Sequence, residues 1–98
     1  MPENKRIIWA DDEILQLKPH VIFLEERGYS VEEVHSGEDA VELVQNGEYD
    51  LIILDEMMPG MDGLTTLEEI RKVNKHIPIV MITKSMEEAL MEDAIGKE

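Results

Sequence analysis

The stretch "LIILDEMMPGMDG", residues 51–63, decides the fold. Four apolar residues run straight into Asp55 and Glu56, and a loop of Met, Pro and Gly follows. An unbroken apolar run this short suits a strand of a parallel sheet, buried on both faces. Ending such a strand in a carboxylate puts negative charge at the edge of the sheet, where something must need it.

Working outward, short apolar runs recur at 6–10 ("RIIWA"), 29–34 ("YSVEEV"), 50–55 ("DLIILD") and 77–83 ("IPIVMIT"). Amphipathic stretches of helical length lie between them. Residues 13–27 carry Ile14, Leu17, Val21 and Leu24 at helical spacing, and Gly28 is the expected C-cap. Pro19 removes a backbone donor inside that stretch, so the spacing predicts a late start or a kink there. "SGEDAVELVQNG" (36–47) opens on a capping Ser with acids in the first turn and stops at Asn46-Gly47. "GLTTLEEIRKV" (63–73) presents Leu64, Leu67, Ile70 and Val73 as one stripe, and "SMEEALMEDAIG" (85–96) reads as a last Ser-capped helix. Strand and helix alternate four times, which calls for a doubly wound α/β fold with a parallel sheet and helices on both faces. The third and fourth runs read as central strands. The second, with Glu32 and Glu33 inside it, reads as an edge.

In an open parallel sheet, ligands bind beyond the carboxyl ends of the strands. Here those ends read Asp11-Asp12, Asp55-Glu56 and Thr83-Lys84. If the first and third strands are neighbours, three aspartates share one shallow cleft with a hydroxyl close by. At an effective dielectric of roughly 20, two carboxylates about 4 Å apart repel by about 4 kcal/mol. Such a cluster holds protons or a hard cation, and an oxygen-lined cleft with room for water suits Mg²⁺. Taken singly, Asp11-Asp12 also serves as a helix cap and Asp55 as a turn former. Independent caps have no reason to gather at three strand ends.

Composition narrows the function. The chain has 98 residues, enough for one domain, and 43% are hydrophobic. Its four aromatic residues are Trp9, Phe23, Tyr29 and Tyr49, so Ile, Leu, Val and Met must build the core. With 23 acids against 9 basic residues the net charge is −14, which opposes direct nucleic-acid or anionic-membrane binding and favours cations or basic partners. Cysteine is absent, the opening residues do not read as a signal peptide, and no apolar stretch approaches the roughly 20 residues of a membrane span. A cytoplasmic protein is expected. His20, His35 and His76 fall in different elements, away from the strand ends, and read as surface residues; Trp9 reads as packing.

"WADDE" (9–13), "LDEMMPGMDG" (54–63) and "VMITKS" (80–85) together resemble the receiver domain of two-component response regulators, across the whole chain. The wording is faintly similar to regulators fused to alkaline-phosphatase-like output domains. The resemblance implies a flavodoxin-like sheet of order 2-1-3-4 and a bacterial phosphoprotein that switches an output domain without being an enzyme. It implies that Asp55 accepts phosphate from a sensor histidine kinase. It also implies that Asp11, Asp12, Asp55 and the Met57 backbone carbonyl hold Mg²⁺, and that Thr83 hydrogen-bonds the phosphoryl group and reorients. An apolar side chain at Met57 is expected to slow loss of the phosphoryl group.

The pattern has departures. Members of this family carry a fifth strand, ending in a lysine, and a fifth helix; residues 1–98 are therefore expected to be a receiver incomplete at its C-terminus. The fourth strand would then be a bare edge, favouring a homodimer or a strand-exchanged oligomer. Lys84 stands where the family usually has a small residue, either as a stand-in cation at the phosphoryl group or as a solvated lysine. Two other functions stay open: a pseudo-receiver acting only as an interaction module, and an aspartate-nucleophile phosphatase of the dehalogenase type. The second acid of such phosphatases would fall at position 57, which is Met.

Overall fold

The computed structural model describes residues 5–83. The strands are β1 (Lys5–Ala10), β2 (Tyr29–Val34), β3 (Leu51–Asp55) and β4 (Ile79–Ile82); the helices are α1 (Lys18–Glu26), α2 (Gly37–Asn46) and α3 (Gly63–Val73). All strand pairings are parallel, in the order β2-β1-β3-β4, as the sequence led one to expect. β2 is the edge strand that its two glutamates announced. β1 and β3 are central, and within the described residues β4 has β3 as its single neighbour. The C-terminal helix read at 85–96 lies outside the described residues.

Alternation along the strands separates two cores. Ile8, Ala10, Ile52 and Leu54 face Ala40 and Val44 of α2 and Ile70 of α3, with Met58 and Ile77 closing that layer. Trp9 turns to the other face and packs with Ile14 and Val21, flanked by Leu17, Leu24, Ile53 and Ile82. Side chains of successive strand residues point to opposite faces, so a run that is apolar throughout feeds both layers. A fully buried Ile such as Ile52 stabilises the fold by about 2–3 kcal/mol.

Pro19 delays its helix as expected. Ile14–Leu17 forms a single 3-10 turn, and the α-helix proper begins at Lys18 with proline in its first turn, where its missing N–H costs nothing. Gly28 then takes φ +93°, a left-handed value that strains other residues, and turns the chain into β2.

The stripe read on α3 needs correction. Ile70 is buried and Leu67 partly so, but Leu64 and Val73 are exposed; the buried positions are Gly63, Thr66 and Ile70. The cause is close approach: a Cβ on Gly37 of α2 would run into the Thr66 hydroxyl, so small residues occupy the crossing. Thr66 satisfies its buried hydroxyl by donating to the Asp62 carbonyl at 2.7 Å.

Candidate functional site

β1 and β3 pair directly, Ala10 opposite Leu54, so both strands deliver their next residues to one edge. Asp11 is fully buried there. Its N–H donates to the Val34 carbonyl at 3.1 Å, its carbonyl accepts from Ile14 at 3.1 Å, and its Oδ1 accepts from the Glu13 N–H at 2.8 Å. These bonds fix the side chain as the chain leaves the sheet. Asp12 is exposed beside it, and Asp55, the last residue of β3, is buried. Asp11, Asp12 and Asp55 each present an oxygen within 4.8 Å of the others. The three strand-end aspartates do converge.

Backbone geometry sets the loop after Asp55. The Glu56 N–H donates to the Ile82 carbonyl at 2.8 Å, and the Glu56 carbonyl accepts from the Gly63 N–H at 3.0 Å, closing residues 56–63 into a tight turn. Gly60 adopts φ +78°. A Cβ on Gly63 would sit 2.5 Å from the Asp55 carbonyl oxygen and 2.8 Å from the Glu56 Cα, so a hydrogen alone fits where α3 begins. The Met57 N–H turns back to donate to Asp55 Oδ1 at 3.3 Å, which holds the carboxylate in place. Asp12, Met57, Met58, Pro59, Gly60 and Asp62 line an open groove of about 520 Å³ beside the carboxylates.

Asp62 belongs to the groove without joining the cluster. Its Oδ1 accepts the Thr65 N–H at 2.8 Å as the N-cap of α3, and that bond holds its carboxyl below the usual aspartate range. Asp-Gly at a helix start carried this signal in the sequence. The Met57 N–H had no such signal, because it depends on backbone path.

Thr83 follows β4 directly and is half-buried; Ile82, its predecessor, stands opposite Asp55. Lys84 lies outside the described residues. His20 and His76 are exposed, and neither follows the carboxyl end of a strand. His35 differs from that expectation: it directly follows the last residue of β2, the edge strand, and is exposed.

Three carboxylate oxygens this close repel one another, and a hard divalent cation is the species their chemistry fits. Asp11, Asp12 and Asp55 thus form a donor set suited to Mg²⁺.

The comparisons with known proteins converge on one family. A family model described as "Response regulator receiver domain" matches residues 7–98. The chain is 38% identical to the transcriptional regulatory protein ResD of Bacillus subtilis over 84 residues, covering 86% of this chain and 35% of that protein. It thus spans about a third of the curated relatives' length. Among solved structures it resembles the response regulator TrrA of Thermotoga maritima in complex with Mg²⁺-BeF, at TM-score 0.75 and 40% identity over 81% of this chain and 69% of that one. It also resembles the receiver domain of the sensor histidine kinase PA1611 of Pseudomonas aeruginosa with magnesium coordinated in the active site cleft, at TM-score 0.74 and 28% identity over 80% and 66%. Parallel sheet order, converging strand ends and matched sequence agree: the chain belongs to the receiver domain family of two-component response regulators.

Proposed function

We propose that this chain accepts a phosphoryl group on Asp55 from the phosphohistidine of a sensor histidine kinase and passes that event to an output domain or partner. One observation carries the reading: Asp11, Asp12 and Asp55 bring oxygens within 4.8 Å at the ends of two paired strands. The magnesium in the TrrA and PA1611 receiver structures supports a Mg²⁺-dependent reaction here. Asp11, Asp12, Asp55 and the Met57 backbone carbonyl would hold the ion. When bound, it would neutralise charge on the carboxylates and on the phosphoryl oxygens.

The chain's own residues supply the rest. An Asp55 carboxylate oxygen attacks phosphorus; the P–N bond breaks and its electron pair stays on the imidazole nitrogen. The Met57 N–H orients the nucleophile through its bond to Oδ1. Thr83, one residue past the partner of Asp55, donates its hydroxyl to the phosphoryl group and carries the change to the β4 end. The domain is a switch with a labile acyl phosphate, and no substrate is turned over. Among the described residues no helix is long and apolar enough to cross a membrane.

The test is incubation of the 98-residue chain with acetyl phosphate and Mg²⁺, read by intact mass. The expected result is a single phosphoryl group on the parent and none on Asp55→Ala or after chelation. Labelling that survives Asp55→Ala would overturn the assignment. An unlabelled parent would leave the interaction-module reading in its place.

A further inference from the structure

The loop after Asp55 is rich in thioethers: Met57, Met58 and Met61 fall within five residues, and Met81 lies beneath α3. Their environments differ. Met58 is buried in the α2–α3 layer, and Met61 and Met81 are partly buried. Met57 is 61% exposed, lines the groove with Asp12 and Pro59, and is rooted by its own N–H on Asp55 Oδ1. Oxidation of a thioether requires contact with dissolved oxidant. Of the four methionines among the described residues, Met57 alone combines open access with a place at the nucleophile.

We propose that Met57 is an oxidation site through which hydroperoxides shorten the lifetime of the phosphoryl group on Asp55. The thioether sulfur attacks the distal peroxide oxygen; an S–O bond forms as the O–O bond breaks. Sulfur loses two electrons, and the departing oxygen takes a proton and leaves as water or an alcohol. The product is a sulfoxide, which is polar and reversible by reduction. The change acts on water. A thioether is a weak acceptor, so the native side chain covers its part of the groove with apolar surface. A sulfoxide oxygen accepts strong hydrogen bonds and holds water in the groove beside Asp55, where hydrolysis of an acyl phosphate draws its nucleophile. This inference rests on the function proposed above.

The experiment treats the full chain with hydrogen peroxide, maps the sulfoxides by peptide mass, labels with acetyl phosphate and Mg²⁺, and follows phosphoryl loss after donor removal. Sulfoxide is expected at Met57 ahead of Met58, with loss several-fold faster than from the untreated chain. Met57→Leu is expected to show one lifetime with or without peroxide, and Met57→Gln a shortened lifetime with no peroxide. Equal lifetimes in a chain carrying Met57 sulfoxide, shortening that persists in Met57→Leu, or oxidation of Met58 first would each overturn this inference alone. No labelling of the untreated chain would overturn the proposed function, and this inference with it.

Discussion

At the amino end of the sheet Arg6 is tied down from several sides; at the carboxyl end Asp11, Asp12 and Asp55 are pressed together. The Arg6 N–H donates to Asp50 Oδ2 at 2.8 Å and its carbonyl accepts from the Asp50 N–H at 2.7 Å. Its guanidinium donates to the Glu48 carbonyl at 3.1 Å, stacks 4.4 Å from the centre of the Tyr49 ring and lies 3.9 Å from Glu32. Charge there joins β1, β2 and the turn into β3. At the opposite end, like charges meet with oxygens within 4.8 Å. One end is built for stability. The other gathers like charges into a donor set suited to a divalent cation, and that contrast makes it the candidate working end.

The largest effect is expected in stability measured with and without Mg²⁺. Asp55→Asn keeps an oxygen to accept the Met57 N–H while removing one charge from the cluster. In chelator the variant is expected to be more stable than the parent by about 1 kcal/mol, a fraction of the full Coulomb repulsion. With Mg²⁺ at about 100 times its Kd the parent gains about 2.7 kcal/mol, and the variant gains far less. The order of stability therefore reverses. Urea unfolding with and without Mg²⁺ reads this directly, and a variant that tracks the parent in both conditions would show that the acids are not in electrostatic tension.

The second measurement probes the amino end. Arg6→Ala removes the guanidinium contacts but leaves the backbone bonds to Asp50. Because the side chain is about half exposed, the ion pair contributes little; the ring contact and the bond to Glu48 bring the expected cost to about 1 kcal/mol. Phosphoryl uptake is expected to stay unchanged. Urea unfolding paired with acetyl phosphate labelling checks both halves, and a loss of uptake in Arg6→Ala would mean that the two ends are coupled.

The two ends were not equally legible in the sequence. Asp11, Asp12 and Asp55 could be read because Asp11-Asp12 and Asp55 close two apolar runs, and a parallel sheet brings such ends to one edge. Pro19 announced the late start of α1, and Glu32 and Glu33 the edge strand. The Arg6 tie was silent, since its partners lie 42 to 44 residues away and no local pattern links them. The apolar stripe of α3 misleads for a related reason. Periodicity records which residues are apolar, while the distance between helices decides which are buried; Gly37 against Thr66 made that distance short and left Leu64 and Val73 outside. The Met57 N–H belongs to the backbone path, which composition does not encode.

Asp62 carries the smallest expected effect, because it is an acid at the same edge that the protein itself satisfies. Its carboxylate caps α3 through the Thr65 N–H, and its pKa is lowered from the ordinary value of 3.8. The sign follows from linkage: a group with a depressed folded value contributes stability that is fully present above the unfolded value and is lost as pH falls through the folded one. Asp62→Asn keeps a capping oxygen but does not titrate in that range. The variant is thus expected to resemble the parent near neutral pH and to show a shallower fall in stability below about pH 4. Urea midpoints across pH 2 to 6 or so test this. Parallel curves would mean that the cap survives protonation, so that a carboxylate at this edge would not depend on its charge even where a backbone donor holds it.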